Sequence, residues 1–146
     1  AVLLEMALVV EKTGKDFYIT LSRTFIDHES LFKQLAADEE EHANTYIKLL
    51  KTEEVYSTDE NRELANYNIQ VLESTGLFGN LRTGAERARG IKDLQTAVEA
   101  AVQMEKDTML FYSDMAMALG PKDRQAIYKI IQAEHSHLYK VQHIAL

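Results

Sequence analysis

Apolar residues recur every three or four positions in four long segments of the chain, with polar residues between them. Such spacing places the apolar side chains on one face of a helix, where they can pack into a core. The segments contain almost no Gly or Pro, and they are rich in Ala, Leu, Glu, Lys and Gln, which favour helices. The pattern predicts four long helices, near residues 2–27, 30–56, 91–119 and 122–145.

The links between these helices indicate how the helices are arranged. The first link, around residues 27–30, and the last, at Gly120 and Pro121, are both short, so each predicts an antiparallel hairpin. Gly120 suits a left-handed cap at the end of the third helix, and Pro121 suits the first turn of the fourth. The middle link, residues 51–90, is too long for a structureless loop, and helical spacing in residues 61–74 predicts a short extra helix there. We therefore expect one all-α domain spanning the whole chain, a four-helix bundle of two hairpins joined by a long crossover.

Composition narrows the class of protein. The 146 residues carry 23 acidic and 16 basic side chains, a formal charge of -7, which argues against a nucleic-acid partner. The absence of Cys excludes disulfides, thiolate zinc sites and cysteine-held iron centres within these residues. No apolar run is long enough to cross a membrane. Together these features favour a cytoplasmic protein with neither a membrane nor a nucleic acid as partner.

A glutamate lies within the apolar stripe of each predicted helix, and these four residues are Glu11, Glu39, Glu105 and Glu134. A buried carboxylate without a partner is strongly unfavourable, and four of them in one core would also repel each other. A cation is therefore expected among them. Two of the glutamates are followed three positions later by a histidine on the same helix face, and these histidines are His42 and His137.

The two halves of the chain repeat this arrangement. Glu11 and Glu39 are 28 positions apart, and Glu105 and Glu134 are 29 positions apart. The first glutamate of each half is followed seven positions later by a tyrosine, Tyr18 or Tyr112. Four carboxylates and two imidazoles suit two divalent first-row metal ions bridged by carboxylates, with iron favoured over manganese. Zinc also accepts such donors.

These glutamates, histidines and tyrosines together resemble the rubrerythrin family of the ferritin-like superfamily, and the resemblance covers essentially the whole chain. It implies a ferritin-like four-helix bundle that binds two iron ions. It also implies that Glu39 and Glu134, or alternatively Glu11 and Glu105, bridge or cap the two metals.

The resemblance further implies that His42 and His137 each bind one metal. Tyr18 and Tyr112 would hydrogen-bond to the ligand carboxylates and fix their orientation. The chain differs from the family at Val102, where rubrerythrins carry an additional carboxylate one turn before the third-helix glutamate. This difference weakens the expectation of efficient peroxide reduction.

The function implied by the resemblance is that of a di-iron oxidoreductase of the peroxidase type, which reacts with hydrogen peroxide or dioxygen. Because these residues contain no Cys for a rubredoxin-type centre, the electrons are expected from an external donor such as a rubredoxin-like protein. Two alternatives are an iron-handling ferroxidase and a non-catalytic metal-binding bundle, for instance one with structural zinc. Exposed helix faces and the family resemblance favour a homodimer.

Overall fold

The computed structural model describes residues 2–52 and 84–144, and its regular elements in those ranges are all helical. They are α1 (Val2–Thr24), a 3₁₀ turn (Ile26–His28), α2 (Glu29–Thr52), α3 (Gly84–Arg89), α4 (Leu94–Ala116) and α5 (Pro121–Gln142). The predicted all-α class is confirmed. The helix predicted at residues 61–74 and the end predicted for the second helix at residue 56 lie outside the described residues. The fourth long helix ends at Gln142, short of the predicted end near residue 145, because His143 leaves the helical conformation with φ −101° and ψ 11°.

The first hairpin turns earlier in the chain than the sequence predicts. α1 ends at Thr24 rather than near residue 27, because Phe25 leaves the helical conformation, with φ −111° and ψ 78°. The backbone N–H of Phe25 still donates to Leu21 O, and that of His28 donates to Phe25 O. One 3₁₀ turn therefore reverses the chain, and α2 can pack back along α1.

The prediction for Gly120 in the second hairpin is wrong. This residue has an extended conformation, with φ −70° and ψ 166°, and it is the N-cap of α5 rather than a left-handed cap of α4. A left-handed residue is not needed there, because the Arg124 side chain donates to Ala116 O and Leu119 O at the end of α4. Pro121 occupies the first turn of α5, as predicted.

The third long helix begins later than predicted, at Leu94 rather than near residue 91. Asp93 fixes this start, because its side chain accepts a hydrogen bond of 2.8 Å from the backbone N–H of Thr96. This contact satisfies one of the free N–H groups in the first helical turn. The predicted boundary missed this cap.

The four long helices form a ferritin-like bundle around a shared core. α1 packs along α2 and α4 along α5, and further contacts join α1 to α4 and α2 to α5. The largest side chains in the core are fully buried, and they include Tyr18, Tyr46, Tyr112, Phe17, Phe32 and Phe111. Within the described residues, no helix has the length and apolar character needed to cross a membrane.

The short helix α3 was not predicted, and it packs against α1. Its first residue, Gly84, lies so close to α1 that an added Cβ would be 2.2 Å from the carbonyl oxygen of Thr13. Only a residue without a side chain fits this approach. α3 thus covers α1 next to the segment that carries Glu11.

Candidate metal centre

The six predicted ligands lie near the middle of the four long helices, and all are buried. Their exposed fractions are 0% for Glu11, 3% for Glu39, 8% for His42, 1% for Glu105, 0% for Glu134 and 1% for His137. Each long helix contributes one glutamate, and α2 and α5 each add a histidine one turn further along. The apolar stripe that forms the core therefore also brings these side chains together.

The ligand atoms of these residues form two overlapping groups of four. One group consists of Glu11, Glu39, His42 and Glu134, and in it the ligand atoms all lie within 4.8 Å of one another. The other group meets the same limit and consists of Glu39, Glu105, Glu134 and His137. Glu39 and Glu134 belong to both groups. Of the two bridging pairs left open by the sequence, this geometry favours Glu39 and Glu134, with Glu11 and Glu105 at the two ends.

The two imidazoles face each other across the centre, with ring centroids 5.6 Å apart and planes 21° from parallel. Both rings turn Nδ1 inward. Nδ1 of His42 is 2.9 Å from Glu134 Oε1, and Nδ1 of His137 is 3.1 Å from Glu39 Oε1. Nδ1 is therefore the nitrogen of each ring that is placed to bind a metal ion.

The pKa shifts in this cluster reflect an excess of buried negative charge. Burial, followed by the charge of a neighbouring glutamate, raises the pKa of Glu11, Glu39 and Glu105 well above the usual range. Burial opposes charge on the histidines, but hydrogen bonds to the surrounding carboxylates raise the pKa of His42 and of His137. The protein therefore binds extra protons here, and a metal cation would replace them.

Glu134 differs from the other three glutamates. Burial and the charge of Glu39 act to raise its pKa, but hydrogen bonds with Glu105, His137 and His42 outweigh them and lower it. Glu134 is thus the carboxylate that is most readily ionised in this cluster. This suits a residue that contributes to both groups of ligands.

Two tyrosines hold the end glutamates, and each reaches across to the other hairpin. The Tyr18 hydroxyl on α1 donates to Glu105 Oε1 on α4, and the Tyr112 hydroxyl on α4 donates to Glu11 Oε1 on α1. Burial and the adjacent carboxylate raise the pKa of both hydroxyls, so they stay protonated and act as donors. Each tyrosine thus fixes one oxygen of the carboxylate that it contacts.

Two carboxylate oxygens of the cluster have no hydrogen-bond donor in the part of the chain that the structure describes and are suited to a cation. Glu11 Oε2 and Glu134 Oε2 are fully buried and accept no hydrogen bond from the described residues. Buried carboxylate oxygens are normally satisfied by donors or by metal ions. Four carboxylates with two imidazoles form a donor set suited to iron, manganese or zinc, so the residues fit a metal centre.

Two residues beside the centre were missed by the sequence analysis. Asp38 begins a run of four acidic residues, and its Oδ2 lies 3.0 Å from Nε2 of His137. Its place four positions before His42 on the same helix was the available signal. Gly14 leaves room for Glu39, because an added Cβ would be 3.2 Å from Glu39 Oε2. The sequence shows no signal for this second contact.

Comparison with known proteins returns one family. The model of the rubrerythrin family matches residues 3–145 of the chain. Neither the curated proteins nor the solved structures gave a match.

Proposed function

Because the chain belongs to the rubrerythrin family, we propose that it is a di-iron oxidoreductase that reduces hydrogen peroxide or dioxygen with electrons from an external donor. The observation that carries this proposal is the pair of overlapping ligand groups that share Glu39 and Glu134. Two metal ions held by common carboxylates can act on one substrate together. Iron in such a site would supply two electrons, which with two protons convert one hydrogen peroxide to two waters.

The residues of the chain would perform three tasks in this reaction. Glu39 and Glu134 would hold both ions, while His42 and His137 would each hold one through Nδ1. The tyrosine hydroxyls would keep the end carboxylates oriented while the charge of the centre changes. The buried apolar core around them would exclude water and limit side reactions.

The donor would be a separate molecule or a segment beyond these residues, because they contain no Cys for a second iron centre. Val102, at the position of the additional family carboxylate, is half-buried and packs against the apolar core. The centre would therefore work with the six ligands alone. This favours a slower reaction with peroxide than in relatives that carry the seventh ligand.

The test is anaerobic loading with ferrous iron followed by addition of hydrogen peroxide. Ferric absorbance should develop within seconds, and peroxide should be consumed in proportion to the bound iron. The Glu39→Gln/Glu134→Gln variant keeps the side-chain volumes but removes both shared carboxylates, so it should fold without holding two ions. Loaded protein that neither changes its absorbance nor consumes peroxide would contradict the proposal.

The same loaded protein, given dioxygen in one trial and peroxide with a chemical reductant in another, separates the two alternatives. A ferroxidase would oxidise iron with dioxygen and pass it on, so more than two ferric ions per chain would form during repeated additions. A structural zinc site would retain zinc against ferrous iron and show no oxidation. In either case peroxide would persist even with the reductant present, and the proposed peroxidase reaction would be wrong.

A further inference from the structure

The repeat that relates the two hairpins is broken beside the metal centre. Glu39 and His42 on α2 correspond to Glu134 and His137 on α5. The residue before Glu39 is Asp38, whereas the corresponding residue before Glu134 is Ala133. One half of the centre therefore contains a carboxylate that the other half lacks.

Asp38 contacts the histidine of the opposite hairpin. The Nε2 atom of His137 lies 3.0 Å from Asp38 Oδ2, while Nδ1 of the same ring faces Glu39 Oε1 at 3.1 Å and Glu134 Oε2 at 3.2 Å. The ring is thus fixed at both nitrogens. The Asp38 side chain is 32% exposed, so it lies at the boundary between the centre and solvent.

His42 is contacted at only one nitrogen by residues 2–52 and 84–144. Its Nδ1 faces Glu134 Oε1 at 2.9 Å and Glu11 Oε1 at 3.5 Å. Among the described residues no acceptor contacts its Nε2. The methyl group of Ala133, at the position equivalent to Asp38, cannot accept a hydrogen bond.

A carboxylate that accepts the Nε2–H of a histidine keeps the proton on that nitrogen, so the proton that a metal ion displaces is the one on Nδ1. It also holds the ring in place and makes Nδ1 a stronger donor to a metal ion. His137 therefore has its metal-binding nitrogen oriented before an ion arrives. For His42, the ring becomes oriented, and the nitrogen that keeps its proton is fixed, only when the ion binds.

We propose that Asp38 is a positioning residue that makes the two metal positions unequal. The position formed with Glu105 and His137 fills first and holds its ion more tightly, and the position formed with Glu11 and His42 fills second. The inference rests on the metal-binding part of the proposed function and is independent of the redox reaction.

The test is a titration of the metal-free chain with Co²⁺. Binding is measured by calorimetry and by the visible absorption of the bound ion. The wild-type protein should bind two ions in two steps. Asp38→Ala should weaken the first step about tenfold and leave the second nearly unchanged. Asp38→Asn keeps an oxygen that accepts the hydrogen bond but not the charge, so it should restore part of the loss.

Two further variants identify which position fills first. His42→Ala should retain the tight first step and lose the second, whereas His137→Ala should lose the tight step. Ala133→Asp supplies the missing carboxylate opposite His42, so it should tighten the second step. An effect on folding alone would not change one step selectively.

Unchanged binding in Asp38→Ala, or a tight step that survives in His137→Ala but not in His42→Ala, would overturn the inference. A different set of results would contradict the metal centre on which the proposed function depends. If the wild-type protein bound no Co²⁺, or bound it equally after the Glu39→Gln/Glu134→Gln substitution, the assignment of the metal centre itself would be wrong.

Discussion

At the scale of single residues, position within a helix decides whether a glutamate is a surface charge or a buried ligand. Glu39 is buried in the core, but its neighbours Glu40 and Glu41 are exposed. Successive residues on a helix point about 100° apart, so only one of the three can face the bundle interior. The burial that favours metal binding at Glu39 is imposed by the helix.

The tyrosine hydroxyls provide a test at this scale. Tyr18→Phe combined with Tyr112→Phe removes the hydrogen bonds to Glu105 and Glu11 but keeps the packed rings. Because the two carboxylates lose their fixed orientation, Co²⁺ affinity should fall about tenfold in competition with a chelator. Tyr139→Phe is the matched control, because this side chain is 63% exposed and lies outside the centre. Binding as tight as in the wild type would show that the hydroxyls do not orient the ligands.

At the scale of the elements, each long helix supplies one carboxylate, and short connections set which helices lie side by side. The 3₁₀ turn returns α2 along α1, and the Arg124 contacts close the turn between α4 and α5. α3 adds a close contact with α1 at Thr13, two residues from Glu11. Disturbing α3 should therefore affect both the stability of the bundle and the centre.

Gly84→Ala tests the contact between α3 and α1. The new Cβ would lie 2.2 Å from the Thr13 carbonyl oxygen, so α3 must move away from α1. We expect a loss of about 2 kcal/mol in the free energy of unfolding, measured by urea denaturation of the metal-free protein. Gly90→Ala is the control, since its Cβ would lie 3.8 Å from the nearest atom. This substitution should change the free energy of unfolding little. Equal stability of the two variants would contradict the close packing of α3.

At the scale of the whole molecule, packing of the two hairpins brings four glutamates together in the core. In an isolated hairpin these side chains would be exposed to water. The raised pKa values of three glutamates and two histidines indicate that the centre takes up protons when no cation is bound, which reduces the repulsion among its carboxylates. Metal binding and proton binding therefore compete for the same groups. The stability of the whole chain should depend on both.

The metal-free protein should lose stability as the pH rises. These five groups hold their protons more strongly in the folded protein than in the unfolded chain. Their contribution is complete below the unfolded pKa values, about 4.3 for Glu and about 6.5 for His, and is lost as the pH rises through the folded values. The Tm with chelator should therefore fall between about pH 5.5 and pH 8.5. The pKa of Glu134 is lowered in the folded protein, so its contribution to stability increases with pH. That increase occurs only below this interval.

Two comparisons check this explanation. With metal bound, the Tm should not fall over the same interval, because the ions have displaced the protons. The Glu11→Gln/Glu105→Gln variant lacks two of the groups with raised pKa, so its metal-free Tm should depend less steeply on pH. A metal-free wild-type Tm that rises with pH would contradict the predicted sign.

The helical class and the residues that meet at the centre could be predicted from the sequence, because both follow from periodicity. A spacing of three or four residues fixes which side chains share a face, and short links fix which helices are neighbours. The helix ends were predicted less well. α1 stops at Phe25, α4 begins after the Asp93 cap, and Gly120 caps α5, because local hydrogen bonds set these boundaries.

The sequence by itself determined that four glutamates and two histidines share the interior of one bundle. Only the tertiary structure decided that Glu39 and Glu134 are the shared pair, that each tyrosine reaches the opposite hairpin, and that Asp38 contacts His137. The physical reason is that helical periodicity fixes the direction of a side chain within its own helix. Distances of a few ångströms between side chains on different helices depend on how those helices pack against each other.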